Sequence, residues 1–177
     1  MAAYRKIVIV DYDPRWPVLY EAERTRLLAA IGAYITAVQH VGSTAVPGLA
    51  AKPVIDIMIG VDSLADADPC VEPIINLGYI YVPEYEDEIP ERRYFKKLLA
   101  DGTHTHHIHA VETSSAFWHD HLLFRDYLIT HPQTAWEYER LKRSLAPHFS
   151  NSNDYSDAKT DFILEVLAKA RLWRASR

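Results

Sequence analysis

Residues 54–61 read VIDIMIGV, seven apolar or small positions around one carboxylate, Asp56. Apolar residues at both parities mark a central strand covered on both faces, which calls for a sheet with helices packed on either side. A carboxylate in such a strand is costly to bury unless something pairs with it. The partner of Asp56 is thus the first thing this fold must supply.

The chain is long enough, at 177 residues, for one domain with a real core, and its 49% hydrophobic and 24% charged residues are an ordinary globular balance. We read residues 1–177 as a single domain. A net charge of -5 with no basic patch argues against a nucleic-acid partner and for a small molecule. One cysteine, Cys70, leaves no internal disulfide. The opening MAAYRKIVIVDYDPRW lacks a signal-peptide core, and no stretch approaches a membrane span. These features predict a cytoplasmic protein with no membrane partner.

Along the chain, KIVIV reads as a strand. A helix follows, with Asp13 as its N-cap, Pro14 at its first position and Gly32 as its stop. Leu19, Ala22, Leu27 and Ile31 trace its inner face. YITAVQHVG and VIDIMIGV are strands flanking the turn or short helix STAVPGLAAKP. SLADADPCVEPIINLG is a helix limited by Pro69 and Pro73. YIYVPEY and RYFKKLLA are strands, and Asp101-Gly102 turns a hairpin into THTHHIHAVE. Helices are predicted at about 115–130, 132–148 and 154–173. The expected architecture is α/β (α+β), a short mixed sheet flanked by helices with a helical C-terminal third.

HVGST ends one strand. Gly42 lets a ligand approach the backbone, and Ser43 and Thr44 bring hydroxyl donors. A helix starting there would add free N–H groups for an anion such as phosphate. Twelve residues separate Ser43 from Asp56, enough for the turn and a return to the neighbouring strand. A phosphate-binding turn beside a carboxylate is the minimum for a metal–nucleotide site. Lys52, between them, could reach a phosphate as a point charge.

HVGSTAVPGLAAKPVIDI closely resembles the signature of the GrpB family, whose fold is related to the nucleotidyltransferase superfamily. VDYDPRWP, RRYFKK, HHIHAVE, FWHDHLLFRDYL, YERLKRSLA and YSDAKTDFILEVL resemble its other blocks in order, so the likeness covers nearly the whole chain. The superfamily pattern is a Gly-Ser turn, an acid–apolar–acid strand and a third acid later. Gly42, Ser43 and Asp56 match it, whereas Met58 stands where the second acid would be. A thioether is no useful Mg²⁺ ligand, so this departure bears on any two-metal mechanism.

HTHHIHA places His107 and His109 on one face of a strand, with His104 and His106 on the other. Strand-borne His-x-His is a common ligand geometry. With Asp56 the pair would form a two-histidine, one-carboxylate metal site, with His40 as a further candidate ligand. Without metal, His107 and His109 would line a polar cleft. In the last helix Lys159 falls on the apolar face with Tyr155, Phe162, Ile163, Val166 and Ala170, so it should point into a cleft or meet an anion. Arg125 could bind phosphate bidentately or tie helix to sheet.

The resemblance therefore implies a metal-dependent nucleotidyltransferase-like protein, transferring a nucleotidyl group from a nucleoside triphosphate to a small acceptor. Asp56 and Lys159 would be catalytic. Gly42, Ser43, Thr44, Lys52, Arg125 and Tyr155 would hold phosphate or nucleotide, with Mg or Mn as the divalent ion. One alternative is a catalytically inactive nucleotide- or ligand-binding accessory module, as in family members fused to dephospho-CoA kinase. Another is a transition-metal hydrolase or ligase using Zn, Ni or Fe on the His-x-His strand.

Overall fold

The computed structural model describes residues 6–177. Five strands form one sheet in the order β1-β2-β5-β4-β3: β1 Ala37–Val41, β2 Ile55–Val61, β3 Ile80–Tyr81, β4 Arg92–Leu98 and β5 His104–Glu112. The pairings are antiparallel except between β2 and β5, where Asp56 lies opposite His107 and Met58 opposite His109. The sheet is mixed and flanked by helices, as expected.

The alternation of β2 explains the two layers. Ile55, Ile57, Ile59 and Val61 enter a core with Ile108, Ala110 and Phe95, closed by Trp16, Tyr20, Leu27 and Ile31 of α1 (Trp16–Ile31) and Ile74 of α2 (Val71–Asn76). The opposite parity brings Asp56, Met58 and Gly60 to the other face. There Met58 packs with Val41, Val111 and Trp118 of α3 (Ala116–Thr130). A Cβ on Gly60 would come within 2.9 Å of the Trp118 ring, so glycine lets α3 lie close.

A separate core joins Leu123, Tyr127 and Leu128 of α3, Tyr138 of α4 (Pro132–Leu145), and Val166, Leu167 and Ala170 of α6 (Thr160–Ala175). Val46 and Leu49, just after the Gly-Ser turn, insert into it. This anchors the helical C-terminal third over the carboxylate end of β2.

Several expectations are corrected. KIVIV is no strand: it contributes only the Val10–Ala51 bridge. α1 starts at Trp16, and Asp13 accepts the Arg15 backbone N–H ahead of it. Its inner face carries Tyr20 and Glu23, while Leu19 is exposed. Glu23 is accommodated because Lys97 and Arg26 both donate to it, at 2.9 Å each. YIYVPEY is strand only at Ile80–Tyr81 and then turns into a 3₁₀ helix at Pro83–Glu86. Residues 64–70 are likewise 3₁₀, carrying Pro69 before α2 begins. The predicted last helix is two, α5 (Ser152–Asp157) and α6, with Lys159 at the break.

Candidate functional site

Gly42 sits where β1 turns, with φ +72° and ψ −173°, a region open essentially to glycine. A Cβ there would lie 2.7 Å from Asp56 Oδ2, so the glycine lets the turn rest directly on the carboxylate. Ser43–Ala45 is a three-residue 3₁₀ turn, too short for the N-terminal helix field expected from the sequence.

Thr44 is buried and fixes this turn. Its hydroxyl donates to Val54 O at 3.2 Å, so it accepts from His40 Nε2 at 3.0 Å. His40 stacks on Tyr20 at 4.7 Å, and burial pulls its pKa down to about 4. It is thus a neutral prop under the turn, and it does not line the cavity.

Asp56 Oδ1 lies 3.2 Å from His107 Nδ1, which donates to it. Nε2 of His107 lies 2.8 Å from His104 Nδ1, extending the contact into a three-member polar chain. His104 reaches this face because the β4–β5 register shifts near Lys97 and Leu98. The expectation that His104 sits opposite His107 is thereby corrected. Burial pushes the Asp56 carboxyl up, but the His107 hydrogen bond and the nearby Lys52 ammonium prevail and hold it below the usual range.

Around Asp56 opens a cavity of about 140 Å³, lined by Ser43, Thr44, Lys52, His107, Lys142, Ser152, Tyr155, Ser156 and Lys159 among others. Lys52 Nζ donates to Ser152 Oγ at 2.7 Å. Lys159, at the α5–α6 break, stands 4.3 Å over the Tyr155 ring. Lys142 is buried at 2% exposure, donates to Ala50 O and lies 4.8 Å over the Tyr138 ring. Burial drives the lysines toward neutrality, with their mutual repulsion adding: Lys142 falls to about 7 and Lys159 to about 8. Among the described residues the Tyr155 hydroxyl is buried without a hydrogen-bond partner.

The expected residues divide accordingly. Ser43, Thr44, Lys52, Asp56, His107, Tyr155 and Lys159 meet at the cavity, and Gly42 abuts it through Asp56. Arg125 does not: it binds Asp126, Gln39 Oε1 at 3.0 Å and His40 O at 2.9 Å, tying α3 to β1. His109 lies one pleat further along, its Nδ1 3.3 Å from Arg92 Nη1. Lys142, Ser152 and Ser156 were missed from the sequence. Only the Tyr138–Lys142 spacing, one helical turn, hinted that Lys142 faces inward with an aromatic.

The metal expectation fits poorly. Among the described residues no group of three His, Cys, Asp or Glu side chains is placed to hold an ion. His107 spends both ring nitrogens, and His109 Nδ1 faces a cation. Met58 is fully buried where a second acid would stand.

The family model described as GrpB protein matches residues 6–169. The chain belongs to the GrpB family. It is 38% identical over 174 residues to UPF0157 protein YqkA of Bacillus subtilis, covering 98% of this chain but only 50% of that protein. To the glutamate-rich protein GrpB of Alkalihalophilus pseudofirmus it is 35% identical, over 92% of this chain and 94% of that one. The crystal structure of GrpB from Enterococcus faecalis superposes with a TM-score of 0.82 at 32% identity, covering 94% of this GrpB chain and 99% of the other. A protein of Mycolicibacterium paratuberculosis named dephospho-CoA kinase is 31% identical over 95% of this chain and 47% of its own length. No helix of the described residues is long and apolar enough to cross a membrane.

Proposed function

We propose that this GrpB chain binds the phosphate groups of a nucleotide in the lysine-walled cavity. The observation that carries this reading is the charge imbalance of the lining. Three lysines face one carboxylate, Asp56, which His107 already engages. Lysines crowded this way are held toward neutrality by burial and each other, and an anion relieves both effects. Ser43, Ser152, Ser156 and the unpartnered Tyr155 hydroxyl supply neutral donors suited to phosphate oxygens. Calorimetric titration with ATP and with inorganic tripolyphosphate, each with and without Mg²⁺, tests it. Both should bind saturably, and Lys159→Ala should weaken both about tenfold, the value of one charge-assisted contact. No binding of either to the wild-type chain sinks the reading.

A second reading is nucleotidyl transfer to a small acceptor, favoured by the ionised Asp56 beside the cavity and the His107–His104 chain behind it. The residues do not fit a two-metal centre, and no step is derived through one. Lysine charge would have to neutralise the phosphates instead. Asp56→Asn separates the readings: an accessory binding module keeps its phosphate affinity and its cellular phenotype, whereas an enzyme loses the phenotype.

A further inference from the structure

We propose that Arg92, with His109, Tyr94 and Phe117, forms a second subsite on the same sheet face, one that takes the carboxylate of a small molecule with a planar apolar body. Arg92 is half-buried on β4, and its guanidinium lies 4.9 Å from the Tyr94 ring centre and 5.9 Å from that of Phe117. Among the described residues it makes no ion pair with a carboxylate, and its Nε is buried without a hydrogen-bond partner. The next residue shows the contrast. Arg93 points to the other face and meets Asp68 at 3.1 Å and Glu86 at 3.0 Å. Glu88 attracts this half-buried guanidinium only through space, and a carboxylate is the ligand that its remaining donors suit.

The neighbours suit an anion. Arginine can only donate, so His109 Nδ1 accepts from Nη1 and the ring is neutral. The ring does not compete for a negative charge, and burial holds His109 well below its ordinary pKa in agreement with this. Tyr85 stacks on Tyr94 at 5.2 Å, and His121 on Phe117 at 4.0 Å, so the guanidinium stands in an aromatic surround that suits an apolar body.

The subsite also has a useful position. Arg92 pairs with Val111 in the ladder but reaches back to His109, two residues along β5 from His107. Two residues of strand span about 7 Å. A small carboxylate held at Arg92 would thus lie on the sheet face that carries Asp56, one strand repeat from His107. That placement as an acceptor rests on the phosphate reading of the cavity; the carboxylate subsite itself does not.

The experiment uses benzoate and its neutral isostere benzamide, followed by chemical-shift titration of the full chain, with tripolyphosphate as a parallel titrant. Benzoate should bind saturably and benzamide at least tenfold more weakly. Arg92→Met should abolish benzoate binding while leaving tripolyphosphate affinity within twofold, which also reports that the variant is folded. Arg92→Lys keeps the charge without the planar fork and should still lose most of the affinity. Equal binding of benzoate and benzamide, or benzoate binding retained in Arg92→Met, overturns the subsite. So does a loss of tripolyphosphate binding in Arg92→Met matching that in Lys159→Ala, since the two sites would then be one. If tripolyphosphate fails to bind the wild-type chain, the cavity reading falls and the benzoate arms decide this one alone.

Discussion

At the scale of single residues, Lys142 shows how far the cavity departs from ordinary packing. Its ammonium is buried with Ala50 O and the Tyr138 ring as its company, and burial brings its pKa to about 7 from 10.5. The unfolded chain therefore binds more protons than the folded one between these values. Stability should rise with pH across this window, by up to about 1.4 kcal/mol per unit, with the full penalty in place below about pH 7. Lys142→Met removes the charge and keeps most of the volume. Urea denaturation at pH 7, 8 and 9 should show a rising midpoint in the wild-type chain and a flattened one in the variant. Tripolyphosphate binding should fall in the same variant, which separates a residue kept for a ligand from one kept for stability. No pattern in LKRSL announced this lysine, because its neighbours Arg140 and Arg143 are surface residues and its own burial is fixed by a backbone carbonyl 92 residues away.

At the scale of elements, α3 is held to the sheet by two devices that the sequence displayed unequally. The apolar contact of Trp118 over Gly60 was hidden, since a lone glycine in a strand gives no clue to what approaches it. Arg125 was visible, but its two readings, phosphate ligand or tie, could not be parted without knowing that Gln39 and His40 O lie beneath it. Arg125→Met should cost about 1–3 kcal/mol by leaving the His40 carbonyl without its charged donor, read by thermal or urea denaturation. Phosphate affinity should stay unchanged, because the guanidinium lies outside the cavity. The strands β1, β2, β4 and β5 were legible from alternation and turn residues. The His104 face was not, since a register shift near Lys97 reverses the parity that strict alternation predicts. The break at Lys159 was also unreadable, although the lysine's inward direction followed from helical spacing.

At the scale of the whole molecule, the site is a charge balance between the two halves of the chain. β2 brings the carboxylate, and the helical third brings Lys142 and Lys159. Lys159 is lowered to about 8 by burial and by Lys52, and Lys142 to about 7 by burial and by Lys159. A bound anion favours the charged form of each and raises both values. Binding should therefore take up protons between about pH 7 and pH 10, and affinity should decline as pH rises through 8. Calorimetry at pH 8 in buffers of different ionisation enthalpy measures that uptake, and a proton-neutral titration would contradict it. Family membership and the mixed sheet were legible because HVGSTAVPGLAAKPVIDI is one uninterrupted stretch. Of the basic wall Lys52 and Lys159 were legible, the first beside the Gly-Ser turn and the second on an apolar helix face, whereas Lys142 was not.

The separation of these groups along the chain sets an order in time. Lys52 meets Ser152 across 100 residues, and Asp56 meets His107 across 51. During synthesis Lys52 and the carboxylate strand emerge long before Lys142 and Lys159, and all five strands precede the helical third. The cavity is consequently among the last parts of the molecule to close. A chain lacking α5 and α6 keeps the turn, Asp56, Lys52 and Lys142 but loses Tyr155 and Lys159 from the cavity, so tripolyphosphate binding should be weaker in it than in the full chain.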